Sequence, residues 1–238
     1  MRPLTARRDS LSCPVPRSPG KRRSVFEFPR WTNRIRNWVG LGLGLGLLYV
    51  TVVLTFGFSP QATDVGYMPV QPLPYSHALH AGKLGLDCRY CHTSVETAAN
   101  ANVPPTQTCI NCHTNILPES AKLVKVRESA ATGSPVPWVR IHDLPDYVYF
   151  NHSAHVRRGV GCATCHGRID KMEVVYQEKP LSMSWCLECH RAPEKFIRPK
   201  EEVTNMAWEP VEPQEVLGAR LVQQYNLKPS TDCSTCHR

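Results

Sequence analysis

The sequence predicts a mostly irregular, short-helical domain, carried behind one N-terminal transmembrane helix, with a core filled by something other than aliphatic side chains. Three observations predict it. A 21-residue uncharged run, "WVGLGLGLGLLYVTVVLTFGF", extends from Trp38 to Phe58. Beyond it, sixteen of the 21 prolines punctuate a segment with scattered aliphatic residues and no alternating strand series. Ten of the eleven cysteines fall in five copies of one pattern, C-x-x-C-H.

Residues 1–37 are rich in Pro, Arg and Ser and lack periodicity, so they read as a mostly disordered cytoplasmic tail. The formal net charge of +8 is confined there: the tail holds ten Lys/Arg against Asp9 and Glu27, while residues 59–238 carry eighteen basic and eighteen acidic residues. A nucleic-acid footprint needs a basic face on the folded domain, which this distribution argues against.

The run 38–58 has the length needed to cross a bilayer's hydrocarbon core. Trp31 and Trp38 flank one end and Phe56 and Phe58 the other, as interfacial aromatics do. The basic tail keeps that end in the cytoplasm, which places residues 59–238 on the periplasmic side of the inner membrane as one extracytoplasmic domain. A cleaved signal peptide has a shorter apolar core and a small-x-small site, whereas the sites near Ser59–Ala62 carry Pro60. The series Gly42-x-Gly44-x-Gly46 lacks the spacing and βαβ setting of a dinucleotide loop. No apolar run precedes Cys13, so it reads as a plain thiol rather than a lipid anchor. Gly40/Gly44 and Gly42/Gly46 are small-xxx-small pairs that let another transmembrane helix approach, or are simply tolerated in lipid. Past the anchor, short helices are expected over Ala121–Ala130 and Pro213–Tyr225, the latter with Val216, Leu217, Leu221, Val222 and Tyr225 as core candidates.

The five motifs are Cys88–Cys91–His92, Cys109–Cys112–His113, Cys162–Cys165–His166, Cys186–Cys189–His190 and Cys233–Cys236–His237. Chance would supply about 0.02 copies. C-x-x-C-H is the attachment signal for c-type haem: two thiols bond to the porphyrin edge and the adjacent His ligates the iron. Zinc ribbons use C-x-x-C pairs without needing a His after each, and five pairs would leave one unpartnered. A thioredoxin-like redox pair would need a βαβ setting, and disulfides explain no histidines. The expected cofactors are therefore five covalent haem c groups, and a haem-packed core explains the low aliphatic content.

Ten histidines are present, and the motifs use five. The other five, His77, His80, His142, His152 and His155, match the five second axial ligands that five irons need. His77 and His80 form "YSHALH", eleven residues before Cys88, and His152 and His155 form "NHSAH", ten residues before Cys162. Met183, three residues before Cys186, competes with His142 for the fifth position. Multihaem enzymes that bind substrate need an open iron, sometimes from a C-x-x-C-K motif, and none is present. Closed six-coordinate haems exchange electrons instead. No catalytic residue is expected, and the chain reads as an electron-transfer subunit.

The H-x-x-H, loop, C-x-x-C-H repeat resembles the cytochrome c3/c7 class. That resemblance implies that the first His of each pair ligates the following haem, His77 opposite His92 and His152 opposite His166, while His80 and His155 reach neighbouring haems. The segments "QPLPYSHALHAGKLGLDCRYCHTSVE", "WVRIHDLPDYVYFNHSAHV" and "MEVVYQEKPLSMSWCLECHR" resemble the pentahaem subunit of bacterial alternative complex III over roughly residues 60–238. This resemblance implies passage of electrons from quinol toward a periplasmic cytochrome c, an iron–sulfur carrier or a terminal oxidase. The partners it implies are an iron–sulfur/molybdopterin-like subunit, polytopic quinol-binding membrane subunits and a monohaem cytochrome c. A stand-alone membrane quinol dehydrogenase feeding a periplasmic reductase is the alternative, though that family normally carries four haems. A haem-based nitrite or tetrathionate reductase is a third.

Overall fold

The computed structural model describes residues 28–59 and 63–237. The expectations for the tail up to residue 27, Cys13 included, lie outside the described residues. The chain divides into two units at Val52/Val53, a boundary that falls inside the first helix.

Helix α1 runs Thr32–Gly57, beginning before and ending at about the limits of the uncharged run. At about 1.5 Å per residue its 26 residues are long enough for a hydrocarbon core of about 30 Å. None of its residues is buried, and large apolar side chains such as Leu43, Leu47 and Tyr49 are exposed all round. Among the described residues it is the helix long and apolar enough to cross a membrane, by length and composition.

The second unit has little regular structure. Its α-helices are α2 (Cys88–Cys91), α3 (Thr106–His113), α4 (Val124–Thr132), α5 (His152–Val156), α6 (Cys162–His166), α7 (Met183–Arg191), α8 (Gln214–Gln224) and α9 (Cys233–Cys236). No sheet forms among the described residues; the strand pairing is limited to the isolated bridges Val148–His237 and Val160–Ile197. The prolines account for much of this, since each removes a backbone donor and disfavours helix at the residue before it.

The two helices expected outside the motifs are present. α4 follows a 3₁₀ turn, Ala121–Leu123, and ends at Gly133 in the left-handed region (φ 74°). α8 buries Leu217 and Leu221 against Ile197, with Val160, Trp208, Val222, Tyr225 and Leu227 packed around them, while Val216 points outward. Gly218 is required at this contact: a β-carbon there would strike the Glu194 backbone, so only glycine lets α8 lie against the Pro193–Lys195 turn. Elsewhere, buried apolar side chains are few: Leu73, Val126, Val156, Met172 and Val203. That is a thin aliphatic core for a unit of this length.

Candidate haem sites

Each C-x-x-C-H motif is built on a helical turn. Residues i and i+3 share a helix face, so the two thiols of a motif are presented together, with the histidine at the next position. α2, α6 and α9 are little more than the motif itself; in α3 and α7 it forms the C-terminal part of a longer helix. Two of the starts are capped by a side chain: Asp87 accepts from the Arg89 N–H at 2.8 Å, and Ser182 from the Trp185 N–H at 3.4 Å.

The spare histidines are held by a repeated device. His77 caps a π-helical turn, Ala78–Lys83, and His80 lies within it; His152 and His155 lie on α5. In both units an aromatic ring two residues before the first histidine meets it edge-on and stacks on the second. Tyr75 lies 4.8 Å from His77 at 86° and 4.5 Å from His80 at 21°. Phe150 lies 4.8 Å from His152 at 83° and 4.7 Å from His155 at 29°. His80 Nδ1 pairs with the Ser76 carbonyl at 2.8 Å, and His155 Nδ1 with the Asn151 carbonyl at 2.7 Å, the same four-residue step back.

Backbone carbonyls also hold Nδ1 of His92 (Asn102, 2.6 Å), His113 (Ile116, 2.9 Å), His152 (Ala99, 2.8 Å) and His190 (Ser230, 2.7 Å). A carbonyl carries no hydrogen, so Nδ1–H donates in every case and the lone pair sits on Nε2. This is the tautomer a metal ligand needs, oriented by a neighbour in the usual way.

The rings also pair at a telling distance. With metal–nitrogen bonds of about 2 Å, two imidazoles on one iron have centres about 6 Å apart. His80 and His113 are 6.2 Å apart, His155 and His190 6.2 Å, and His152 and His166 6.3 Å with rings within 7° of parallel. His77 neighbours His92: burial, then His92 and His80, lower its pKa to about 4. His166 is lowered to about 3 by burial and then by His142, His152, His92 and His77. Three polar nitrogens in this cluster, His77 Nδ1, His142 Nε2 and His166 Nδ1, are buried without a partner. Among the described residues no three Cys, His, Asp or Glu side chains gather as a metal-only cage requires. The residues therefore fit an iron held between two imidazoles.

Three sequence-identified ligands, His142, His237 and Met183, lie apart from this pattern. His142 sits 4.4 Å from His166, edge-on, in a site that His152 already faces. The ring neighbour of His237 is Tyr147, at 5.9 Å. Met183 opens α7, largely exposed, one turn before Cys186.

The thiols mark which motifs adjoin. Cys91 is raised by burial and then by Cys109, Cys88 and Cys112. Cys165 is pushed to about 12 by burial, then by Cys189 and Cys186. Cys186 is raised by burial and then by Cys236. Cys88 is pulled below its ordinary value by the neighbouring Cys162 thiol, which is itself pushed up by that pairing and by burial.

Residues 148–238 match the family described as cytochrome c7 and related cytochrome c. The fold is that of a multihaem cytochrome c domain. Over 120 residues, 49% of this chain, the sequence is 33% identical to the multihaem cytochrome c subunit of menaquinone reductase from Nitratidesulfovibrio vulgaris strain Hildenborough. The match spans 55% of that relative's length. The family match covers the second H-x-x-H unit and the last three motifs; the first unit of this multihaem domain is tied to it by the shared aromatic–histidine geometry.

Tyr75 and Phe150 are the site residues that motif counting passes over. Their signal is in the sequence, an aromatic residue two places before each H-x-x-H, once the two units are laid side by side. Arg198, buried beside Gly161 and stacked 4.8 Å over Trp208, has no such signal.

Proposed function

We propose that this chain is a membrane-anchored pentahaem c-type cytochrome that conducts electrons within a quinone-linked oxidoreductase of the alternative complex III type. The observation that carries the reading is the set of three histidine pairs near 6.2 Å, in which five of the six rings, all but His166, donate Nδ1–H to a backbone carbonyl and leave Nε2 to ligate. Each haem, when bound, supplies one-electron chemistry at its iron. The chain's own residues do the rest. The ten motif cysteines fix the cofactors covalently. His92, His113, His166, His190 and His237 would ligate the five irons. His77, His80, His152 and His155 would supply a second imidazole to four of them. An iron with both ligands supplied would offer no position to substrate and would exchange electrons only.

For the fifth iron, Met183 is the better candidate than His142. His142 is drawn to His166, whereas Met183 stands one turn from Cys186, and Cys186 adjoins Cys236 of the fifth motif. A thioether ligand raises a haem's potential relative to a second imidazole, since axial ligands tune haems over about 0.8 V. The oxidised protein is expected to show the weak red charge-transfer band of a Met–iron bond, lost in Met183→Leu. A band absent from wild type returns the position to His142.

The anchor is α1, with the haem domain on the periplasmic side of the cytoplasmic membrane. The basic N-terminal tail and covalent haem, which is assembled outside the cytoplasm, support that side. The partners are an iron–sulfur/molybdopterin-like subunit, polytopic membrane subunits that bind quinol, and a monohaem cytochrome c or other periplasmic acceptor. The name of the relative from Nitratidesulfovibrio vulgaris favours a second reading, in which the same wire delivers electrons to menaquinone. Purifying the native complex from membranes, identifying its subunits and assaying quinol oxidation against quinone reduction decides between them. A haem protein purified alone and active with quinol points instead to the stand-alone dehydrogenase.

A further inference from the structure

We infer that the five motifs form one unbranched path in the spatial order second, first, third, fourth, fifth, so that the second and fifth motifs are the two ends of the wire and a joint between the first and third is its middle. The inference rests on the proposed haem-binding role and adds to it the route and its terminals.

The path follows from contacts that step from motif to motif. The second and first are joined by one turn of chain: His80 faces His113 at 6.2 Å, and His77, the proposed partner of His92, lies three residues before it. The third and fourth are joined in the same way by α5, through His152 opposite His166 at 6.3 Å and His155 opposite His190 at 6.2 Å. The fourth and fifth meet where His190 Nδ1 donates to the Ser230 carbonyl at 2.7 Å, three residues before Cys233. The Ser230 hydroxyl in turn meets Thr235 Oγ1, inside the fifth motif, at 3.0 Å.

The middle joint is made by two adjacent residues. The Cys162 N–H, at the start of α6, donates to the Val203 carbonyl at 2.9 Å. The next residue, Thr204, donates its hydroxyl to the Asp87 carboxylate at 3.2 Å, and Asp87 is the cap of α2. The starts of the first and third motif helices are thus tied to one dipeptide, whose Val203 is buried at 2% exposure. A second tie runs from the chain after the first motif: the Ala99 carbonyl accepts from both the His152 N–H and its ring Nδ1–H. The two di-histidine units are therefore joined at their inner motifs, which leaves the second and fifth outermost.

The test is a cryo-EM structure of the protein in its native membrane complex, read for iron positions. The expected result is that the irons of the second and fifth motifs each have one near neighbour and are the farthest-separated pair. An iron with three near neighbours, or a second-motif iron nearer to the third than to the first, overturns the path. A kinetic arm uses the Cys162→Ser/Cys165→Ser variant, which lacks the middle haem but keeps the others. Quinol is then expected to reduce only the two haems on its own side of the break, and rapid reduction of all four overturns the path. Failure of quinol to reduce even the wild-type complex would instead count against the proposed function and leave the order to the iron positions.

Discussion

The paired histidines are held residue by residue as the proposed metal axis requires. His80 and His155 each return Nδ1–H to the carbonyl four residues earlier and are stacked by an aromatic ring, so each ring's rotation is fixed from two directions. Replacing His155 with Ala is expected to leave the fourth haem attached, because attachment needs only Cys186, Cys189 and His190. That haem should turn high-spin and bind carbon monoxide; an unchanged low-spin spectrum would falsify the ligand role. The aromatic shelf gives a second expectation. Tyr75→Phe should cost less than about 1 kcal/mol, since phenylalanine already fills the equivalent place at Phe150, whereas Tyr75→Ala should cost about 2–4 kcal/mol by emptying it. Denaturant midpoints of the two variants check this. The candidate ligands can be named residue by residue, because C-x-x-C-H and H-x-x-H need no tertiary knowledge. Their pairing cannot: five spare histidines for five irons balance on paper, yet His142 sits against His166 and not His237. A count carries no direction.

Among elements, the legible ones were those with their own local signal. α1 follows from an uncharged run, α4 ends on Gly133, and α8 carries an apolar stripe. The π-helical turn at Ala78–Lys83 could not be read, because its widened ring is imposed by packing, with Gly82 pressed against the Asp170 backbone. The contact between α8 and the Pro193–Lys195 turn is likewise tertiary. It predicts that Gly218→Ala, normally favourable in a helix by roughly 0.8–1 kcal/mol, is destabilising here by about 1–3 kcal/mol because backbone must move. Chemical denaturation of the haem-loaded domain measures the sign. Leu217 and Leu221 behaved as core positions as expected, while Val216, one residue before, faces outward.

For the whole molecule, the thin aliphatic core predicts that folding and cofactor loading are one process. The mature protein is expected to carry five covalent haems by intact mass and by haem stain after denaturation, and four with full occupancy would count against the reading. Alkaline carbonate should fail to release it from membranes; an N-terminus near residue 60 would show a cleaved signal in place of an anchor. The sequence disclosed the kind of molecule more readily than its layout, since motifs are local and the Val203–Thr204 joint links positions more than a hundred residues apart.

That joint has a consequence for biogenesis. It brings the Cys88 and Cys162 thiols together, the first pulled below its ordinary value by the pairing and the second pushed above it. Two neighbouring thiols on the periplasmic side, where the proposed topology puts them, can be joined by an oxidant into a disulfide. The nascent chain therefore runs a race between two covalent fates: thioether formation within each motif, or a cross-link that welds the halves together before either is loaded. Loading the first motif early removes Cys88 from the contest, because a sulfur already bonded to porphyrin has no proton to lose. Delivery of the chain in the reduced state, and the order in which its motifs are filled, are therefore expected to affect the yield of haem-loaded protein.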